Sequence, residues 1–92
     1  IEEDCLKIVR DAHKASKCIA AICHGPWVLI SAGITRGVEM TSYKAVHIDL
    51  ANSGALLNET NNVVESENII TAQHYSNNPE FMMAVQNYLQ SR

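Results

Sequence analysis

Apolar and polar positions along this chain follow two periods, and the switches between them outline its elements. Glu2 to Lys17 has the period of a helix. Cys5, Ile8, Val9, Ala12 and Ser16 fall on one face, with Leu6 and His13 beside it, and Lys7, Arg10, Asp11 and Lys14 lie elsewhere. Glu2, Glu3 and Asp4 suit the positive end of that helix and Lys17 its negative end. Periodicity then vanishes. Cys18 to Cys23 is apolar without alternation, as expected of a parallel strand covered on both faces.

The next residues predict an abrupt strand–turn–helix. Gly25 permits the tight or left-handed backbone a sharp reversal needs. Pro26 fits the first helical position, where its missing N–H costs nothing. The helix runs to about Ala32, with Gly33 just past its end. Val38 to Thr41 reads as a short strand, and Ser42 as the cap of a helix from Tyr43 to about Asn52. The apolar positions of that helix are Val46, Ile48, Leu50 and Ala51. Ala55 to Asn58 is a short extended piece. Val63–Glu65 and Asn68–Ala72 bracket Ser66-Glu67 as a hairpin or two successive strands. Asn78-Pro79-Glu80 opens the last helix, with Phe81, Val85, Tyr88 and Leu89 as its buried stripe.

The resulting order, αβαβαββα, implies an α/β fold with a parallel sheet between helices. So few strands leave such a sheet hard to complete, because both of its faces need cover. The remaining strands are expected from an N-terminal half absent from this chain, or from a second chain. Open edges and apolar faces also favour self-association as a homo-oligomer.

Composition narrows the function classes. The 92 residues are 47% apolar and 18% charged, which marks one small globular unit. A net charge of −3 and no Lys/Arg stripe argue against nucleic acid as a partner. The longest apolar runs fall well short of a membrane span. Cys5, Cys18 and Cys23 form neither a metal pair nor an even disulfide set, so a reduced, cytoplasmic setting is expected. The four scattered histidines lack metal-ligand spacing, so neither metal nor cofactor is expected.

Cys23 is the candidate nucleophile. Ala21 and Gly25 flank it at minus two and plus two, as small residues flank the serine of a G-x-S-x-G elbow. It would sit where a helix begins, a position that stabilises a thiolate. The alternative role for it is a buried strand-end thiol. Cys5 and Cys18 are simplest as core or helix-face residues, and Met82-Met83 as core or interface filler. His74 reads as a base, a pocket-lining residue or a solvated loop histidine. Trp27 reads as packing rather than as a substrate-stacking ring.

Several blocks resemble one family. Ala20-Ala21-Ile22-Cys23-His24-Gly25-Pro26 is followed by Leu29-Ile30-Ser31-Ala32-Gly33, Arg36-Gly37 and Thr41-Ser42-Tyr43. Together they strongly resemble the ThiJ/PfpI family of intracellular cysteine proteases and protein deglycases. Asn52-Ser53-Gly54-Ala55 and Asn68-Ile69-Ile70-Thr71 resemble further segments of it. The resemblance implies a flavodoxin-like, class I glutamine amidotransferase-like three-layer αβα sandwich, of which this chain is the C-terminal half. It implies Cys23 as nucleophile and His24 as the adjacent base. The turn at His24 and Gly25 would form the oxyanion site, with the His24 N–H as one donor, and Tyr43 would line the pocket. His74 and Trp27 are further candidates for that lining on their own positions, not from the resemblance.

The family's carboxylates precede the elbow, and Glu2, Glu3 and Asp4 do not match their motif. Where many members have arginine-proline-aspartate, this chain has Ala72 to Glu80, which points to a different substrate preference. The implied function is cysteine-dependent attack on a peptide, a glyoxal-type carbonyl or a glycated group. The alternatives are a redox-sensing stress chaperone without turnover, and a non-catalytic fragment.

Overall fold

A computed structural model of the chain describes residues 3–91. Glu2, assigned above to the first helical turn, lies outside the described residues. The elements are α1 (Glu3–Lys14), β1 (Ile19–Ile22), α2 (Pro26–Ala32), β2 (Glu39–Met40), α3 (His47–Asn52), β3 (Leu56–Leu57), β4 (Val63–Ser66), β5 (Ile69–Ala72) and α4 (Asn78–Gln90). Short 3-10 turns at Lys44–Val46 and Tyr75–Asn77 lead into α3 and α4.

The fold is an α/β three-layer sandwich covering part of a flavodoxin-related domain. Its central sheet has the order β1-β5-β4. β1 runs parallel to β5, with Ile19 opposite Ile69 and Ile22 opposite Ala72. β4 runs antiparallel to β5, because the two form a tight hairpin in which Glu67 takes a left-handed conformation. β2 and β3 make a separate parallel pair.

Strand alternation sorts the residues into two cores. Ala21 and Ile69 join Leu29, Val38, Met40, Val46 and Leu50 beneath α1, α2 and α3. Ile70 and Ala72 join Phe81 and Tyr88 of α4 on the opposite face, with Cys18 and Ile22 packed against them. Ala20, on the strand between Cys18 and Ile22, is exposed. α4 therefore covers β5 and β4 but leaves part of β1 open.

Two features weld the strands. Asn68 is buried; its carboxamide donates to the Lys17 carbonyl (2.7 Å), and its backbone carbonyl accepts from Ile19 N–H (2.8 Å). Thr71 Oγ1 accepts a buried hydrogen bond from the Thr41 N–H at 2.9 Å, tying the end of β2 to β5. Thr71→Val removes that acceptor and strands a buried N–H. It is expected to destabilise the protein by about 1–3 kcal/mol, measured by urea unfolding. An unchanged midpoint would show that the Thr41 N–H finds another partner.

Several helix faces differ from the sequence pattern. In α1, Cys5 and Ile8 are exposed, and the buried residue is Leu6. The helix rolls toward α2, where Arg10 Nε donates to the Ala32 carbonyl at 3.0 Å and Val9 packs against the core. It stops before Lys17 because Ser16 adopts φ 58, while Ser16 N–H and Lys17 N–H bond back to His13 and Ala12. In the 43–52 segment the tight 3-10 start turns Val46 and Leu50 inward and leaves Ile48 and Ala51 exposed. Ser42 does not cap it; its hydroxyl donates to the Tyr43 carbonyl. In α4, Phe81 and Tyr88 lie two turns apart on the sheet face, and this places the neighbouring Leu89 in solvent. Met82 and Met83 are also exposed rather than core.

Candidate functional site

Cys23 follows the last residue of β1 and stands at φ 58, the left-handed region that L-residues avoid. The turn Ile22-Cys23-His24-Gly25 is closed by the Gly25 N–H donating to the Ile22 carbonyl at 2.8 Å. The reversal thus falls on the cysteine. Gly25 itself has a helical φ of −52 and ψ of −36, contrary to the expected role in the reversal. Its importance is spatial. A Cβ built on Gly25 would stand 3.0 Å from Ile22 O, 3.1 Å from Ile22 N and 3.3 Å from Ala21 Cβ. Only glycine lets the start of α2 approach the end of β1 this closely.

A left-handed non-glycine residue costs on the order of 1–2 kcal/mol and persists where its surroundings over-determine it. Here both peptide groups of Cys23 are gripped. Its N–H donates to the Ala72 carbonyl at the end of β5 (3.1 Å), and its carbonyl accepts from the Tyr43 N–H (2.9 Å). The Cys23 side chain is half-buried. Pro26 begins α2, as its first-turn position predicts, and is buried.

Around this turn, aromatic and imidazole rings form a row. The exposed His24 ring stacks on Tyr43 with centroids 5.1 Å apart, and meets Trp27 at 5.1 Å in a tilted contact. Tyr43 reaches His74 at 6.0 Å, and His74 packs on Tyr75 at 4.0 Å. All four sequence-predicted side chains beside Cys23, namely His24, Tyr43, His74 and Trp27, therefore lie in one contiguous patch. Trp27 is not simple packing. It is 43% exposed, and its Nε1–H donates to Asp49 Oδ2 at 2.7 Å. That bond borders an open groove of about 450 Å³ between α2 and α3, also lined by Ile30, Ser31, Asn52 and Ser53.

His74 has a local duty. Its Nδ1 accepts from the Ser76 N–H at 3.2 Å, and its backbone N–H donates to Asn77 Oδ1 at 3.1 Å, which together cap the turn before α4. An Nδ1 that accepts has no proton, so the ring proton sits on Nε2. The lone pair a base would use is committed to the cap. Among the described residues, no three His, Cys, Asp or Glu side chains converge as a metal ligand set would require.

Asp49, Tyr75 and His47 escaped the sequence reading as site residues. Asp49 stands 22 positions from the indole it receives, a separation that carries no local signature. Tyr75 is signalled only by its place in the loop that departs from the family pattern. His47 falls inside the predicted 43–52 helix with nothing in its neighbours to single it out, yet its Nε2 lies 3.0 Å from the Ser42 carbonyl.

Residues 1–87 match the profile of the DJ-1/PfpI family. An uncharacterized protein of Archaeoglobus fulgidus is 42% identical over 81 residues, covering 88% of this chain and 48% of that protein. The Protein/nucleic acid deglycase 2 of Escherichia coli is 38% identical over 72 residues, covering 78% of this chain and 42% of that protein. A two-domain protein of Anabaena variabilis, with DJ-1/ThiJ/PfpI-like and ferritin-like domains, has a crystal structure that superposes with a TM-score of 0.93 at 30% identity. That superposition covers 97% of this chain and 25% of the other. The chain spans about half the length of the curated relatives it matches.

Proposed function

Since the chain belongs to the DJ-1/PfpI family, we propose that it carries the reactive thiol of a cysteine-dependent hydrolase or lyase acting on glyoxal-type or glycated carbonyls. The observation that carries this reading is the strained cysteine, left-handed at φ 58 and held on both sides by backbone hydrogen bonds. Strain of this kind concentrates at functional sites. The name of the deglycase relative in Escherichia coli supports the substrate class.

In this reading Cys23 is the nucleophile and His24 the proton shuttle. The sulfur attacks the aldehyde carbon, a C–S bond forms, and the carbonyl π pair moves onto oxygen. The His24 N–H, on the turn, donates to the developing oxyanion. His24 takes the thiol proton and returns it to that oxygen, so the net step is addition of S–H across C=O. Moving the C1 hydrogen to C2 as a proton, and the C1 hydroxyl proton to the C2 oxygen, converts the hemithioacetal to a thioester. Water then cleaves the C–S bond, releasing a 2-hydroxy acid and regenerating the thiol without an external oxidant. Tyr43, His74 and Trp27 line the approach.

The same reading assigns these residues to the C-terminal portion of a single family domain. The open edge of β1, with exposed Ala20 on the strand and Cys5 and Ile8 on α1, is where the rest of that domain or a second copy packs. In this reading the family's carboxylates, which precede the elbow, come from there.

The full-length protein is to be incubated with methylglyoxal and no cofactor, with product and tryptic peptides followed by mass spectrometry. Lactate formation with a trapped adduct on Cys23 is expected. Lactate absent while exposed Cys5 is modified and Cys23 is not would refute the reading. Chaperone activity without turnover would assign the cysteine to redox sensing instead.

A further inference from the structure

We propose that His47 is a positioning residue that holds the His24 N–H in its oxyanion-binding orientation through two consecutive peptide groups. The linkage is continuous. A carbonyl oxygen can only accept, so the His47 Nε2 that lies 3.0 Å from the Ser42 carbonyl carries a proton and donates it. That carbonyl belongs to the same peptide group as the Tyr43 N–H, which donates to the Cys23 carbonyl at 2.9 Å. The Cys23 carbonyl, in turn, shares its peptide group with the His24 N–H. Imidazole, Ser42–Tyr43 peptide and Cys23–His24 peptide thus form one chain of donors and acceptors.

Two consequences follow from that order. Each hydrogen bond polarises the next peptide in the chain, so a donor at the Ser42 carbonyl strengthens the donors beyond it. Rotating the Cys23–His24 peptide would also discard the bond from Tyr43 and turn the His24 N–H away from the site. His47 is built for a fixed role. Its side chain is only 15% exposed, at the start of α3, and its Nδ1 faces Glu59 Oε1 at 3.6 Å. The Glu59 carbonyl is itself held by Gln73 Nε2 at 3.3 Å, on the residue after β5. The imidazole is bracketed between the turn that carries Tyr43 and a loop anchored to the central sheet.

The oxyanion role of the His24 N–H rests on the function proposed above, whereas the linkage itself does not, and the experiment separates them. His47→Gln keeps a donor at the reach of Nε2; His47→Asn keeps the polarity but falls short; His47→Leu removes the donor. In the full-length protein, amide hydrogen exchange at Tyr43 is expected to quicken about 10-fold or more in His47→Leu and His47→Asn, and to stay within about twofold of the parent in His47→Gln. With methylglyoxal, kcat is expected to fall about 10-fold in His47→Asn with KM within about twofold, and to recover in His47→Gln. If His47→Leu fails to fold, the Gln and Asn pair still decides. Equal exchange at Tyr43 in the Gln and Asn variants would overturn the linkage. Faster exchange in Asn with Cys23 untouched by methylglyoxal would keep the linkage and remove the oxyanion role.

Discussion

Cys23→Ser is expected to lower turnover of the full-length protein by about 10³-fold or more, because the nucleophile is removed while the turn is kept. Cys23→Gly should lose the same activity and behave differently in stability. Removing a half-buried side chain and adding glycine entropy both destabilise, the latter by roughly 0.5–1 kcal/mol. Relief of a left-handed non-glycine residue returns on the order of 1–2 kcal/mol. The balance is a stability within about 1 kcal/mol of the parent, measured by urea unfolding of parent and variant side by side. A stability–activity trade at this one position would show that strain at φ 58 is retained for function. A loss of more than about 1 kcal/mol in Cys23→Gly would mean the strain argument is wrong.

Gly25→Ala is expected to be the most damaging single-methyl change near the site. Gly25 is the cap residue before α2, a position where glycine is preferred to alanine. Geometry points the same way, because the new Cβ would meet Ile22 O at 3.0 Å and Ile22 N at 3.1 Å. These are backbone atoms of the strand end and have no rotamer to yield. Overpacking of this kind costs about 1–3 kcal/mol. Since the contact involves the turn itself, we expect a net loss of about 1–2 kcal/mol together with slower alkylation of Cys23 by iodoacetamide. A gain in melting temperature would show that α2 can slide away from β1 at no cost.

Particular residues show where sequence patterns succeed. Pro26 and Gly33 bracket α2 because each acts through its own backbone, and position alone dictates that effect. The unbroken apolar run after Lys17 and the hairpin around Glu67 are legible for the same local reason. Ile8, Ile48 and Leu89 show where patterns stop. Each falls on an apolar stripe, yet which part of a stripe meets a neighbour depends on how the helix rolls onto it. For α1 that roll is set by α2, 22 residues away through Arg10 and Ala32.

The strand–turn–helix around Cys23 divides in the same way. By itself the sequence determined that a strand ends there, that a helix begins at Pro26, and that a cysteine stands between small residues. Those are consequences of short-range sterics and apolar burial. Only the tertiary structure decided that the left-handed residue is Cys23 and not Gly25, that Gly25 is needed for close approach, and that His24, Tyr43, His74 and Trp27 share one patch. The physical reason is that the grip on Cys23 comes from Ala72 and Tyr43, whose carbonyl and N–H reach it from β5 and from the turn after β2. Backbone partners so distant along the chain leave no mark in side-chain identity, so no reading of residues in order could have revealed them.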